Sequence, residues 1–291
     1  MTLFLVGGGP SQATGPIFDS FVAQARKRGP RIAVAVLGTP GQAAETLERY
    51  SKPITEQWPQ AVIEPIWLVD ADEGSINWPA DAEQLGGLIV AGGWATGYLD
   101  ALAPQRDEIV RLVSGGLPYL GFGAGALIVA KHAIVGGWQS HGREIGPEIA
   151  GDGSTEIVVR DGLGLIGSAI DVHTNTQHLL ERPIAALLDH QLTSAIAIDD
   201  DTALVVDVAS GRSEVAGTGL VHWLTRNGDE VQVRRTAAVR ESADKAAQEK
   251  PSTPATGTSA PEPPAPETPE PPSTEPPTPE PSSPEPSDTG K

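Results

Sequence analysis

One stretch of this chain has the layout that presents a nucleophile. The apolar run Pro118–Phe122 leads into Gly121-Phe122-Gly123-Ala124-Gly125-Ala126, and a helix is expected after Ala124. A strand, then G-x-(nucleophile)-x-G, then a helix holds its central residue exposed on a tight turn. A backbone N–H and the helix N-terminus lie close enough to stabilise an oxyanion. Here the central residue is Gly123, which has no side chain with which to attack a carbonyl.

Two further glycine-rich exits, Gly7-Gly8-Gly9 and Gly92-Gly93-Trp94, follow apolar runs. The first is not a dinucleotide fingerprint, because Gln12 stands where G-x-G-x-x-G needs its last glycine. No Walker A sequence occurs. The six histidines are scattered without H-E-x-x-H or similar spacing, so no metal site is expected. The absence of cysteine excludes disulfides, thiolate metal sites and a cysteine nucleophile. Ser140-His141 offers a nucleophile and a base side by side, but nothing in the sequence sets Ser140 beside an oxyanion hole. Asp199-Asp200-Asp201 reads by itself as a solvated turn. Trp94 and Trp138 each follow a Gly-Gly pair, where they would line a pocket or serve as buried structural aromatics.

The elements that must position these residues alternate. Leu3–Val6, Ile32–Leu37, Val62–Val69, Leu88–Ala91 and Pro118–Phe122 read as strands that, apart from Glu64 in the third, are apolar throughout. Pro65 inside the third predicts a sheet edge or a bulge. Ile17, Phe18, Phe21, Val22 and Ala25 recur at helical spacing before Gly29-Pro30. Further helices are expected over 41–50, around Ile109–Val113 and near 175–190. Apolar strands alternating with helices imply a mostly parallel sheet covered on both faces, a three-layer α/β/α sandwich, with ligands at the carboxyl ends of the strands.

Composition changes near residue 241. Beyond it the only aliphatic side chains are alanines, aromatics are absent, and 15 of the 27 prolines fall between Pro251 and Pro286. Such a segment has no apolar surface to offset its ordering entropy, so 241–291 is expected to be a disordered acidic tail behind a domain of residues 1–240. Its Ser-Pro and Thr-Pro steps would suit phosphorylation or a protein partner; a solubilising spacer is the plainer reading. The formal charge of −18 argues against nucleic acid and anionic membrane as partners. The N-terminus lacks a basic segment, and no apolar run nears the ~20 residues that span a bilayer, so a cytoplasmic location is expected.

Four pieces in order resemble the cyanophycinase and dipeptidase E family of serine peptidases, whose domain is like that of class I glutamine amidotransferases, a flavodoxin-like fold. They are the glycine-ended opening strand with the Gly92-Gly93 pair, the elbow, Ile170-Asp171-Val172-His173, and Ile198-Asp199-Asp200-Asp201-Thr202-Ala203-Leu204. The family elbow reads G-x-S-A-G-A. The resemblance implies that Gly123 replaces the serine, that His173 stands as general base, and that Asp200 orients it. It places the oxyanion donors at the amides of Gly93 and Ala124. Of the arginines that follow the histidine in cyanophycinases, only Arg182 remains, so an Asp–Arg polymer is not the expected substrate. The expectation is a non-catalytic relative that binds a small carboxylate or peptide end beside Trp94 and Arg182, with no cofactor. The alternative is a hydrolase using another nucleophile or water. An amidotransferase glutaminase is set aside for want of a thiolate. Relatives often form dimers, so a homodimer is a further expectation, although nothing in the sequence marks an interface.

Overall fold

The computed structural model describes residues 1–68, 76–148 and 152–238. The chain divides into Met1–Glu241 and Ser242–Lys291; the tail lies outside the described residues, as does Val69.

From the N-terminus the chain runs β1 (Thr2–Val6), α1 (Gly15–Ala25), β2 (Arg31–Leu37), α2 (Pro40–Gln57), β3 (Val62–Leu68) and β4 (Gly87–Val90). Next come α3 (Ala95–Leu102), α4 (Arg106–Ser114), β5 (Tyr119–Phe122) and α5 (Ala124–Leu127). Four short strands follow: β6 (His132–Gly136), β7 (Gln139–Ser140), β8 (Arg143–Glu144) and β9 (Val158–Asp161). β10 (Ala169–Asp171), α6 (Glu181–Leu188), β11 (Ser194–Ile198) and β12 (Thr202–Asp207) lead to β13 (Arg212–Gly217), β14 (Leu220–Asn227) and β15 (Glu230–Ala237).

The main sheet has the order β13-β12-β1-β5-β4-β2-β3. β1, β5, β4, β2 and β3 are mutually parallel, and β12 and β13 add an antiparallel margin. This is a flavodoxin-like α/β fold. The side chains of β5 show why helices cover both faces. Phe122 stacks on Phe18 of α1 at 5.4 Å and meets Tyr50 of α2 edge-on at 4.9 Å. Tyr119, on the opposite face by strand alternation, donates its hydroxyl to the Gly125 carbonyl of α5 at 2.7 Å. Ile32 through Val36 of β2 are fully buried, as a strand between two helical layers requires. Pro65 sits on β3, the sheet's edge, where its missing N–H costs no ladder bond on the open side.

Local chemistry sets the element ends. α1 begins with Pro16 in its first turn, where a missing N–H is harmless. α2 begins with a capping box between Thr39 and Gln42, and it runs past the expected end at residue 50 to Gln57. Three features differ from the sequence reading. α3 was not expected, because Gly97 interrupts its pattern; a Cβ there would press on Leu37 and Trp94. The helix near 175–190 is shorter, Glu181–Leu188. A second sheet, β10-β11-β14-β15, packs α6 through Leu187, Leu192 and Leu224. No helix among the described residues is long and apolar enough to cross a membrane.

Candidate functional site

The carboxyl ends of β1, β4 and β5 converge with the segments after β10 and β11. Gly123 leaves β5 at φ 50, ψ −111, a combination that strains any residue with a Cβ. Its N–H donates to the Val6 carbonyl at 2.9 Å, and its own carbonyl accepts from Ala126 and Leu127, so the turn is held on both sides. A Cβ built at Gly123 would lie 3.6 Å from Gly92 Cα and 3.8 Å from His173 Nε2. These are ordinary contacts, so the position has room for a side chain, and that side chain would face the imidazole.

His173 adopts φ 55, and its N–H donates to the Gly7 carbonyl at 3.1 Å. Its Nδ1 lies 2.8 Å from Asp200 Oδ1. With Nδ1–H directed at the carboxylate, Nε2 is left as a proton acceptor facing residue 123. Thr176 Oγ1 donates to the other Asp200 oxygen, and the Asp200 N–H donates to Asn175 Oδ1 at 2.8 Å. Asn175 and Thr176 were missed in the sequence; only their nearness to His173 could have marked them. The opening glycines also find a reason. A Cβ at Gly7 would strike the Asp199 carbonyl, and one at Gly8 the Asp200 carboxylate.

The three aspartates have separate surroundings. Asp199 is not solvated: it is buried, accepts from Leu220 N–H at 2.9 Å, and lies 3.2 Å from His222 Nε2. It anchors the turn that presents Asp200. Asp201 is exposed, with φ 55.

Gly93 and Ala124 flank the cavity above Gly123. Tyr50 receives the Gly92 N–H at 3.0 Å, and Tyr98 receives the Leu37 N–H at 3.1 Å and reaches the Gly92 carbonyl at 3.5 Å. Burial raises both phenols above their usual range, so they stay protonated. Ala124 opens α5, so its N–H has no carbonyl one turn back to bind. α5 is a single turn, shorter than the sequence layout implied, and its dipole adds correspondingly little.

The cavity measures about 230 Å³. Leu127, Val135, Val172 and Leu179 form apolar wall, and His173, Gln177, Asp152 and Arg182 supply polar groups. Trp94 is not among the lining residues; it is 52% exposed at the start of α3. Arg182 does line the cavity, but it is buried and bound to buried Asp171 through Nε at 2.9 Å and Nη2 at 2.5 Å. Burial opposes the Arg182 charge, and Asp171 outweighs it, so the guanidinium stays ionised. A ligand would meet an arginine already neutralised by its neighbour. Ser140 and His141 lie outside this cavity. Both bind Asp189, at 3.0 and 2.9 Å, and their pocket contains neither Gly93 nor Ala124.

Asp152 was not foreseen, and nothing in Gly151-Asp152-Gly153 marks it. Its carboxyl titrates above the usual range, chiefly through desolvation, with the Ala95 N–H and the charges of Arg182 and His173 opposing. A folded-state pKa above the unfolded one means the native state binds more protons between the two values. Stability therefore falls as pH rises through the raised pKa. Asp152→Asn is expected to raise the melting temperature by about 1–2 °C at pH 7, a small effect because the residue as a whole is exposed, so solvent screens much of the desolvation felt by its carboxyl. The gain should vanish below the ordinary Asp pKa, which a pH series of thermal melts would check.

Among the described residues no group of three or more His, Cys, Asp or Glu is arranged to hold a metal ion.

No family profile matches the chain, and no curated protein compared with it is similar. Solved structures are. A peptidase from an acI-B1 Actinobacterium superposes with a TM-score of 0.56 at 19% identity, over 82% of this chain and 95% of that one. A candidate Peptidase E protein from Listeria monocytogenes EGD-e gives a TM-score of 0.43 at 15% identity, over 81% and 98%. The chain has the fold of the first of these proteins.

Proposed function

We propose that this chain is a non-catalytic relative of the cyanophycinase and dipeptidase E serine peptidases, with a cleft that binds a small carboxylate or a peptide end. One observation carries the reading. The backbone of Gly123 keeps the strained geometry of a nucleophile turn and faces His173 Nε2, yet no atom is present to attack. The His173–Asp200 pair would then serve as a polar wall, and the amides of Gly93 and Ala124 as donors to a bound oxygen. Loss of a nucleophile of this kind lowers turnover by about 10⁶, which favours binding over catalysis.

The second reading is a hydrolase that activates water through His173, favoured by the intact Nδ1–Asp200 contact. A fluorophosphonate probe and a panel of Asp-containing dipeptides separate the two. No labelling and no turnover, with a ligand-induced melting shift that His173→Ala reduces, are expected. Robust turnover abolished by His173→Ala would establish the second reading instead.

A further inference from the structure

β15 is the outer strand of the four-stranded sheet, and among the described residues no strand pairs with its far side. It is exposed over most of its length, including Val233 at 40%, and carries no proline. That contrasts with β3, whose edge is blunted by Pro65.

β14 and β15 join through Gly228-Asp229, with Gly228 at φ 64. A two-residue hairpin turn of this kind closes on a hydrogen-bonded pair, here Asn227 with Glu230. Even-numbered residues of β15 therefore bond to β14. Val231, Val233 and Arg235 turn their N–H and C=O outward.

We infer that β15 pairs antiparallel with β15 of a second copy of this chain, about a two-fold axis at Gln232. In such a pairing outward residues meet outward residues, so the axis must fall on a residue rather than between two. With the axis on Gln232, Glu230 faces Arg234, Asp229 faces Arg235, and Val231 faces Val233, each contact occurring twice. An axis on Arg234 would set arginine against arginine. An axis on Val231 or Val233 leaves every charge without an opposite partner. The faces agree with the choice. Arg234 lies over the Trp223 ring at 5.0 Å, and Glu230 shares that face by alternation. Val231 packs on the other face with Leu187 and Leu224, so the valine pair extends an existing apolar cluster.

The test is sedimentation equilibrium of the full chain over a concentration series up to about 100 µM. Wild type should show a monomer–dimer equilibrium. Arg234→Glu and Glu230→Arg should each weaken the dimer about tenfold or more, because each sets like charges against one another twice. Mixing the two variants should restore association, since acid then faces base at both contacts; misfolded variants could not do this. A wild-type chain that stays monomeric throughout overturns the inference and assigns the edge to another occupant. A dimer indifferent to either substitution, or a mixture that fails to reassociate, also overturns it.

Discussion

Gly123→Ser is expected to lower the melting temperature and, in the same protein, to create a residue that fluorophosphonates label covalently. The two effects have one origin. At φ 50, ψ −111 a residue with a Cβ bears strain of about 1–3 kcal/mol that glycine escapes. For a domain of this size that corresponds to a fall of roughly 2–10 °C. Space does not oppose the change, because the nearest atoms to a Cβ are 3.6 and 3.8 Å away. The second of those atoms is His173 Nε2, so a serine hydroxyl would find an acceptor whose other nitrogen is held by Asp200. Labelling should rise from none to near one equivalent, and adding His173→Ala should remove it. An unchanged or higher melting temperature would refute the strained turn. A stable, unlabelled Gly123→Ser protein would refute the assignment of His173 as its base.

The second large effect is at Arg182. Its guanidinium is buried against Asp171, which is itself fully buried. Arg182→Ala would strand a carboxylate with no cation beside it. Breaking a buried pair from one side costs about 3–5 kcal/mol. A melting temperature lower by roughly 10 °C is therefore expected, measured by calorimetry or circular dichroism. The double variant Asp171→Leu/Arg182→Met should recover most of that loss, because removing both charges avoids the unpaired one. A loss under about 1 kcal/mol for Arg182→Ala would mean that the pair is solvent-screened and contributes little to stability. Arg182 thus reads differently in sequence and in structure. By position it stood for a recognition residue; by geometry its charge is already engaged, because β10 delivers Asp171 to the start of α6.

The sequence by itself determined the layered α/β fold and the lack of a nucleophile at Gly123. Both follow from local rules: continuous apolar strands can only be buried between helices, and glycine has no side chain in any fold. Pro65 likewise narrowed β3 to an edge or a bulge, because its missing N–H would cost a ladder bond inside a sheet, and the strand order then settled on the edge. The motif resemblance already singled out Asp200 as the partner of His173; only the tertiary structure decided that Asp199 is buried against His222, that Asn175 and Thr176 hold Asp200, and that Asp152 lines the cavity. It also decided that Trp94 does not line that cavity and that Ser140 binds Asp189. Those relations join residues far apart in the chain. They depend on angstrom-scale packing and burial, which neighbouring residue types do not encode.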